Sequence, residues 1–281
     1  MRLPVPLPLH LGPSAVPDRA VVVVTGASSG IGAAVAERLA EQGRHLVLVA
    51  RSVERLEKVA ARCGELGCSS VMIVPTDVSD DAAVESLFAE VLARHGRVDA
   101  VAHCAGEVTY GRLEETSADV FDRVLATNVS GSANISRHAI RRMRSQEKGV
   151  LVLVGSLLGE VAIPEMTPYV VSKWGVRALA RQLVVENIDL PRVHVSHVVP
   201  GSVDTPIYES ALESAGGAHK PPPPSISPER VARVVAQEIQ HPSRERQTAL
   251  SNHVLIAAFR TAPWAYDRVI GPVFKLASRS R

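Results

Sequence analysis

The sequence is poor in cysteine, in aromatic residues and in any surplus of one charge. Its 281 residues hold three cysteines, 4% aromatic residues and a formal net charge of +2. Cys63, Cys68 and Cys104 are odd in number and fall in no zinc-ligand spacing. That excludes a disulfide framework and a structural metal centre, and the three read as reduced thiols of a cytoplasmic protein. A nearly balanced charge with no dense basic field excludes a nucleic-acid partner. No stretch approaches the ~20 uninterrupted apolar residues of a membrane span. Pro4, Pro6 and Pro8 disfavour the apolar helix of a signal peptide, so residues 1–18 are expected to form an irregular leader laid over the domain. What remains, 46% hydrophobic and 21% charged, is ordinary globular composition in a chain long enough to bury a core without staples.

From residue 19 to 250 apolar runs of strand length alternate with amphipathic stretches of helix length. Strands are expected at 20–24, 45–50, 71–74, 98–103, 150–154 and 193–199. The runs are rich in β-branched residues and lack a polar face, which suits strands buried on both sides. Helices are expected at 31–42 (closed by Gly43), 53–63, 80–94 (capped by Asp80), 118–143, 168–187 and 228–240. Strand–helix alternation implies crossover helices and a doubly wound, Rossmann-like parallel sheet, an α/β fold. The pattern decays at 202–226, a substrate-loop candidate containing four consecutive prolines. The prolines stiffen that loop, or form a motif for a proline-binding domain.

The first strand runs into Thr25-Gly26-Ala27-Ser28-Ser29-Gly30-Ile31-Gly32, where a helix begins. Gly26 allows a tight turn with positive φ, Gly30 lets a pyrophosphate reach the backbone, and Gly32 lets helix and strand pack closely. The free N–H groups of the helix start, around Ser28, Ser29 and Ile31, then face the phosphates. At the end of the second strand, an acid would bind the 2′-hydroxyl of NAD. This chain has Ala50-Arg51 there, which favours NADP(H) over NAD(H), since a guanidinium binds a 2′-phosphate. The other reading of Arg51 is a solvated charge starting the next helix. Asp77, after the third strand, either accepts from the adenine amine or serves as a turn residue.

Tyr169 and Lys173 lie four apart on an expected helix and hence on one face. An ammonium beside a phenol favours the phenolate, which fits Tyr169 for proton transfer near neutral pH. Ser156 follows the fifth strand, at the sheet edge where such folds bind ligands. Its hydroxyl is placed to hydrogen-bond a substrate oxygen as charge develops. Asn128 is an amide in an otherwise amphipathic helix and is a candidate to hold a water beside Lys173.

Together these motifs resemble the short-chain dehydrogenase/reductase family in its one-domain form, over roughly residues 19–240. Thr25–Gly32 has the family's Thr-Gly-x3-Gly-x-Gly spacing, and Asp77-Val78 resembles its adenine-binding pair. Asn128, Ser156, Tyr169 and Lys173 match its catalytic tetrad, and Pro200-Gly201 with Val203 and Thr205 resembles its nicotinamide-carboxamide segment. The resemblance implies Tyr169 as proton donor or acceptor, and Lys173 as ribose ligand and modulator of Tyr169. It also implies Ser156 orienting the substrate oxygen and Asn128 holding a relay water. One place departs: His103-Cys104-Ala105-Gly106 stands where the family has Asn-Asn-Ala-Gly. Ala105 and Gly106, which let the ribose approach, are kept, but the bracing amides are gone and weaker cofactor binding is expected.

The expected function is hydride transfer between NADP(H) and a small-molecule carbonyl or secondary alcohol. Leu157 and Leu158 hint at an apolar pocket. The alternatives are a catalytically silent nucleotide sensor, or a non-carbonyl reaction such as enoyl reduction or epimerisation. The resemblance adds a homo-oligomer. The C-terminal extension, 251–281, mixes apolar and basic residues. It is expected to fold back over its own domain, with subunit contact or a membrane surface as the other readings.

Overall fold

Successive residues of a strand face opposite sides of a sheet, and in this chain both sides are apolar. Val22 and Val24 of β1 (Val21–Thr25) belong to one core cluster, Val21 and Val23 to another. The same division runs through β2 (His45–Ala50), β4 (Ala100–His103) and β5 (Gly149–Val154). A sheet of this kind must be covered twice. Helices α1 (Gly30–Ala40), α2 (Val53–Glu65) and α7 (Pro228–Gln240) cover the first face, through side chains such as Leu39, Leu56 and Ile239. The second is covered by α3 (Asp81–His95), α5 (Gly131–Ser145) and α6 (Thr167–Glu186), through Leu87, Ile135 and Val176. Each such side chain stabilises the fold by roughly 1.5–3 kcal/mol relative to exposure.

This computed structural model describes residues 13–206, 221, 222 and 224–279, with the backbone alone from 275 onward. Leader residues 1–12, loop residues 207–220 and 223, and residues 280–281 lie outside the described residues.

With β3 (Ser70–Pro75), β6 (Val193–Val199) and β7 (Glu245–Gln247), the sheet has the order β3-β2-β1-β4-β5-β6-β7, every neighbour parallel. The chain winds outward from β1 to β3, returns to the centre, and winds the other way from β4. The switch point between β1 and β4 opens a crevice at the strands' carboxyl ends. Asp80 caps α3, accepting from the N–H groups of Ala82 and Ala83.

Two elements differ from expectation. The seventh strand was not foreseen. The helix expected at 118–143 is broken into α4 (Ala118–Leu125), a π-helical turn (Ala126–Ser130) and α5. The Gly131 N–H reaches back to Ala126 O across that turn, which carries Asn128 into the interior.

The two ends of the described chain pack on the domain. Near the start, Val16 is buried, the Ala15 N–H donates to Gln240 O, and the Arg44 guanidinium donates to the carbonyls of Pro17 and Asp18. At the other end lie α8 (Leu250–Thr261) and α9 (Pro263–Arg279). Tyr266 Oη donates to Ala162 O at 2.8 Å, Arg260 donates to Glu160 at 2.6 Å, and Phe274 is buried against Val108, Tyr110 and Met166. Among the described residues no helix is long and apolar enough to cross a membrane.

Candidate nucleotide cleft and active site

The crevice at the switch point is a cleft of about 310 Å³. Gly26, Ser28, Ser29, Gly30, Ile31 and Gly32 line it from the first turn; Arg51, Asp77 and Val78 from the ends of β2 and β3; Ala105, Gly106 and Thr205 from the far side. The glycines are required by space. A Cβ on Gly32 would stand 2.2 Å from Gly26 O, and one on Gly26, whose φ is +66°, would stand 2.8 Å from the Ala105 backbone. A side chain on Gly30 would project to 3.3 Å from the Thr205 side chain. The α1 N-terminus, whose first residues line the cleft, carries no acidic residue in its first turn and no cap bond from the Ser29 side chain, so its positive field is uncompensated there. A backbone-lined concavity at a positive helix end fits a pyrophosphate.

Asp77 Oδ1 accepts from the N–H and hydroxyl of Ser79, so the turn reading of this residue holds while its carboxylate also walls the cleft. Partial burial opposes ionisation, but those hydrogen bonds and the guanidiniums of Arg51 and Arg123 hold the carboxyl below its usual range.

Sequence reading missed Glu107 and Arg123 in this cleft. Glu107 Oε1 accepts from Arg51 at 2.9 Å, while Arg123 binds the same carboxylate through two nitrogens at 3.1 and 3.2 Å. The available signal was position: Glu107 directly follows Ala105-Gly106, and Arg123 lies five residues before Asn128.

Ser156 and Tyr169 line a second, adjoining cavity of about 220 Å³. Lys173 lies beneath, its Nζ 5.6 Å from the Tyr169 ring centroid and 3.3 Å from Val154 O, to which it donates. Burial pulls its pKa from 10.5 down to about 8, which still leaves an ammonium at neutral pH. Cleft and cavity share Val108 as a lining residue, and at Gly106 of the cleft a Cβ would stand 3.3 Å from Asn128 Oδ1 and 3.6 Å from Lys173 Nζ.

Asn128 is buried, and its amide is already engaged by protein. Its Nδ2 donates to Glu107 O and Ser172 Oγ, and its Oδ1 accepts from the Glu107 N–H at 2.8 Å. One acceptor lone pair on Oδ1 is left for a further partner. Pro200 O accepts from the Leu157 N–H, Gly201 borders the second cavity, and Val203 forms a bridge with Ile226.

His103, at the departure from the family pattern, sits at the centre of a buried hydrogen-bond relay. Thr25 Oγ1 accepts from the N–H groups of Cys104 and Ala105, so its hydroxyl hydrogen is free to donate to His103 Nδ1 at 2.7 Å. The tautomer that follows puts the ring hydrogen on Nε2, 3.0 Å from Ser132 Oγ, which in turn donates to Asn128 O. Burial, reinforced by Lys173, pushes the ring's pKa down to about 3, so the ring is neutral. At this departure a relay therefore runs from β1 to the π-helical turn.

The remaining cavity walls come from Val108, Tyr110, Leu157, Leu158, Met166 and the C-terminal helices, through residues such as Leu255, Tyr266 and Phe274. Among the described lining residues none is Asp, Glu, Lys, Arg or His. The cavity's roof is tied down by a buried carboxylate. Glu160, 1% exposed, faces Arg177 of α6 and Arg260 of α8.

A doubly wound sheet with a glycine-lined cleft at its switch point, opening onto a polar Ser–Tyr–Lys group, is the architecture of a dinucleotide-binding oxidoreductase. A family model described as short chain dehydrogenase matches residues 20–215. The chain belongs to the short-chain dehydrogenase family. It is 34% identical over 195 residues to human dehydrogenase/reductase SDR family member 7, covering 68% of this chain and 58% of the human protein. It is 30% identical to an NADPH-dependent pterin aldehyde reductase of Arabidopsis thaliana, covering 72% of this chain and 82% of that one. Among solved structures it is similar to an alcohol dehydrogenase of Thermococcus sibiricus complexed with 5-hydroxy-NADP. That match has 32% identity and a TM-score of 0.69, and covers 82% of this chain and 94% of the other. It is also similar to an actinorhodin polyketide ketoreductase variant with NADPH, with 26% identity and a TM-score of 0.74, over 82% and 95%.

Proposed function

We propose that this chain catalyses hydride transfer between NADP(H) and an uncharged, largely apolar carbonyl compound or its secondary alcohol. The observation that carries the reading is the joint placement of Ser156 and Tyr169 on a largely apolar cavity, with Lys173 buried nearby and the nucleotide cleft adjoining at Val108. The nicotinamide, when bound, supplies or accepts the hydride. Tyr169 donates its phenolic proton to the carbonyl oxygen during reduction and takes it back during oxidation. Ser156 hydrogen-bonds that oxygen as its charge grows. Lys173, an ammonium at neutral pH, favours the Tyr169 phenolate and binds the ribose. Asn128 holds the relay water on the remaining lone pair of Oδ1.

Gly26, Ser28, Ser29, Gly30, Ile31 and Gly32 take the pyrophosphate; Asp77 and Val78 the adenine; Ala105 and Gly106 the ribose; and Pro200, Gly201, Val203 and Thr205 the carboxamide. Arg51 at the cleft wall supports the 2′-phosphorylated cofactor, as do an NADPH-dependent relative and neighbours holding NADP forms. The absence of charge on the cavity's described lining supports the substrate class, because an ionic group would lose its hydration there without a partner. Three free thiols support a reducing, cytoplasmic setting. Exposed Val171, Trp174 and Val185 on α6, with Ile188 just after it, support a homo-oligomer.

The test is NADPH consumption against neutral ketones, aldehydes, steroids and 3-oxoacyl thioesters, each beside a carboxylate-bearing analogue. Turnover is expected with neutral apolar ketones and is expected to fall sharply with their charged analogues. Dinucleotide binding with no turnover across the whole panel would point instead to a nucleotide-binding protein without catalysis.

A further inference from the structure

On the wall of the nucleotide cleft one carboxylate holds two guanidiniums. Glu107 accepts from Arg51 through Oε1 and from Arg123 through both oxygens. Its side chain is 12% exposed, against 58% for Arg51 and 52% for Arg123. The backbone of Glu107 is fixed as well, because its N–H donates to Asn128 Oδ1 and its carbonyl accepts from Asn128 Nδ2. Glu107 is therefore a stationary negative charge, and the exposed Arg51 is the partner free to move. Asp77 walls the same cleft and feels both guanidiniums. Arg55 lines the same wall, so three arginines face two carboxylates there, but Arg51 and Arg123 are both engaged by Glu107. An incoming anion gains the full attraction of Arg51 only by taking it away from that carboxylate.

We propose that Glu107 tunes the cofactor preference by competing with the 2′-phosphate of NADP(H) for Arg51. A 2′-phosphate draws Arg51 off Glu107, which stays bound to Arg123 by its two-nitrogen contact. A 2′-hydroxyl leaves the Arg51–Glu107 pair in place. Glu107 thus narrows the advantage of the phosphorylated cofactor and keeps NAD(H) within reach of the same cleft. The inference rests on the NADP(H) reading of the cleft and adds to it a residue that opposes Arg51.

The test is titration calorimetry on wild type, Glu107→Gln and Glu107→Ala with NADP⁺, NAD⁺, adenosine 2′,5′-bisphosphate and adenosine 5′-monophosphate. Circular dichroism and thermal melts verify that each variant is folded. Both variants are expected to bind NADP⁺ and the bisphosphate about tenfold more tightly, equivalent to ~1.4 kcal/mol, with NAD⁺ and the monophosphate changed less than about twofold. Weaker NADP⁺ binding in both variants would show that Glu107 positions Arg51 instead of competing for it, and would overturn the inference. An equal change for both cofactors would overturn it too. A wild type that binds neither dinucleotide would sink the cofactor reading and the inference with it. A wild type that binds both, beside unmoved variants, would sink only the inference.

Discussion

Lys173 shows how much folding free energy this site gives up at one side chain. Its ammonium is buried beside Cys104 and Tyr169, and burial, the main cause, brings its pKa from 10.5 to about 8. Below pH 8 the folded and unfolded chains both carry the charge, and the fold bears the whole desolvation cost. Between about 8 and 10.5 only the unfolded chain is protonated, so stability rises with pH across that window. A depression of this size corresponds to about 3 kcal/mol. Lys173→Met is therefore expected to be more stable than wild type at pH 7, by a few kcal/mol, and to lose that advantage as the pH approaches 10. Urea melts of the ligand-free protein at pH 7 and 9.5 check this. A variant that is less stable at pH 7, or whose difference does not shrink with pH, contradicts the buried-ammonium account. At this scale the sequence was most readable where spacing alone implies contact, as for Tyr169 and Lys173 on one helical face. Glu107 and Arg123 were invisible because their meeting depends on how a loop crosses the cleft.

Elements were legible in proportion to their burial. The six long strands announce themselves as apolar runs because both faces of the sheet are covered. The seventh, Glu245–Gln247, is a three-residue polar edge that carries no periodic signal. The helix expected at 118–143 has the right faces but the wrong continuity. A π-helical turn adds one residue to the hydrogen-bonded loop, and hydrophobic spacing does not register it. That turn is held from below by the Thr25–His103–Ser132 relay, which joins β1 and β4 to the start of α5. His103→Ala removes the centre of the relay. It takes one hydrogen-bond partner from each of two buried hydroxyls and leaves a cavity behind, and is expected to cost about 2–4 kcal/mol of stability. Chemical denaturation measures the loss, and an unchanged midpoint and slope would show that the relay does not hold the turn.

At the scale of the whole molecule, the catalytic sheet and the C-terminal helices make one cavity between them. The family motifs end before the cavity does, since α8 and α9 supply Leu255, Tyr266 and Phe274 to its wall and Arg260 to the buried Glu160. Composition marked that segment as apolar and basic, but no periodic code told whether its apolar side faced its own domain. Long-range partners such as Ala162 O for Tyr266 settle that only in three dimensions. The cavity so closed has no charged residue among its described lining, and the proposed chemistry there rests on one phenol, Tyr169. The most direct measurement is single-turnover NADPH oxidation by wild type and Tyr169→Phe on a neutral ketone selected from the panel, with dinucleotide affinity measured alongside. The account predicts a rate lower by at least ~100-fold with cofactor affinity nearly unchanged, as for loss of a general acid. A variant that turns over near the wild-type rate would contradict it.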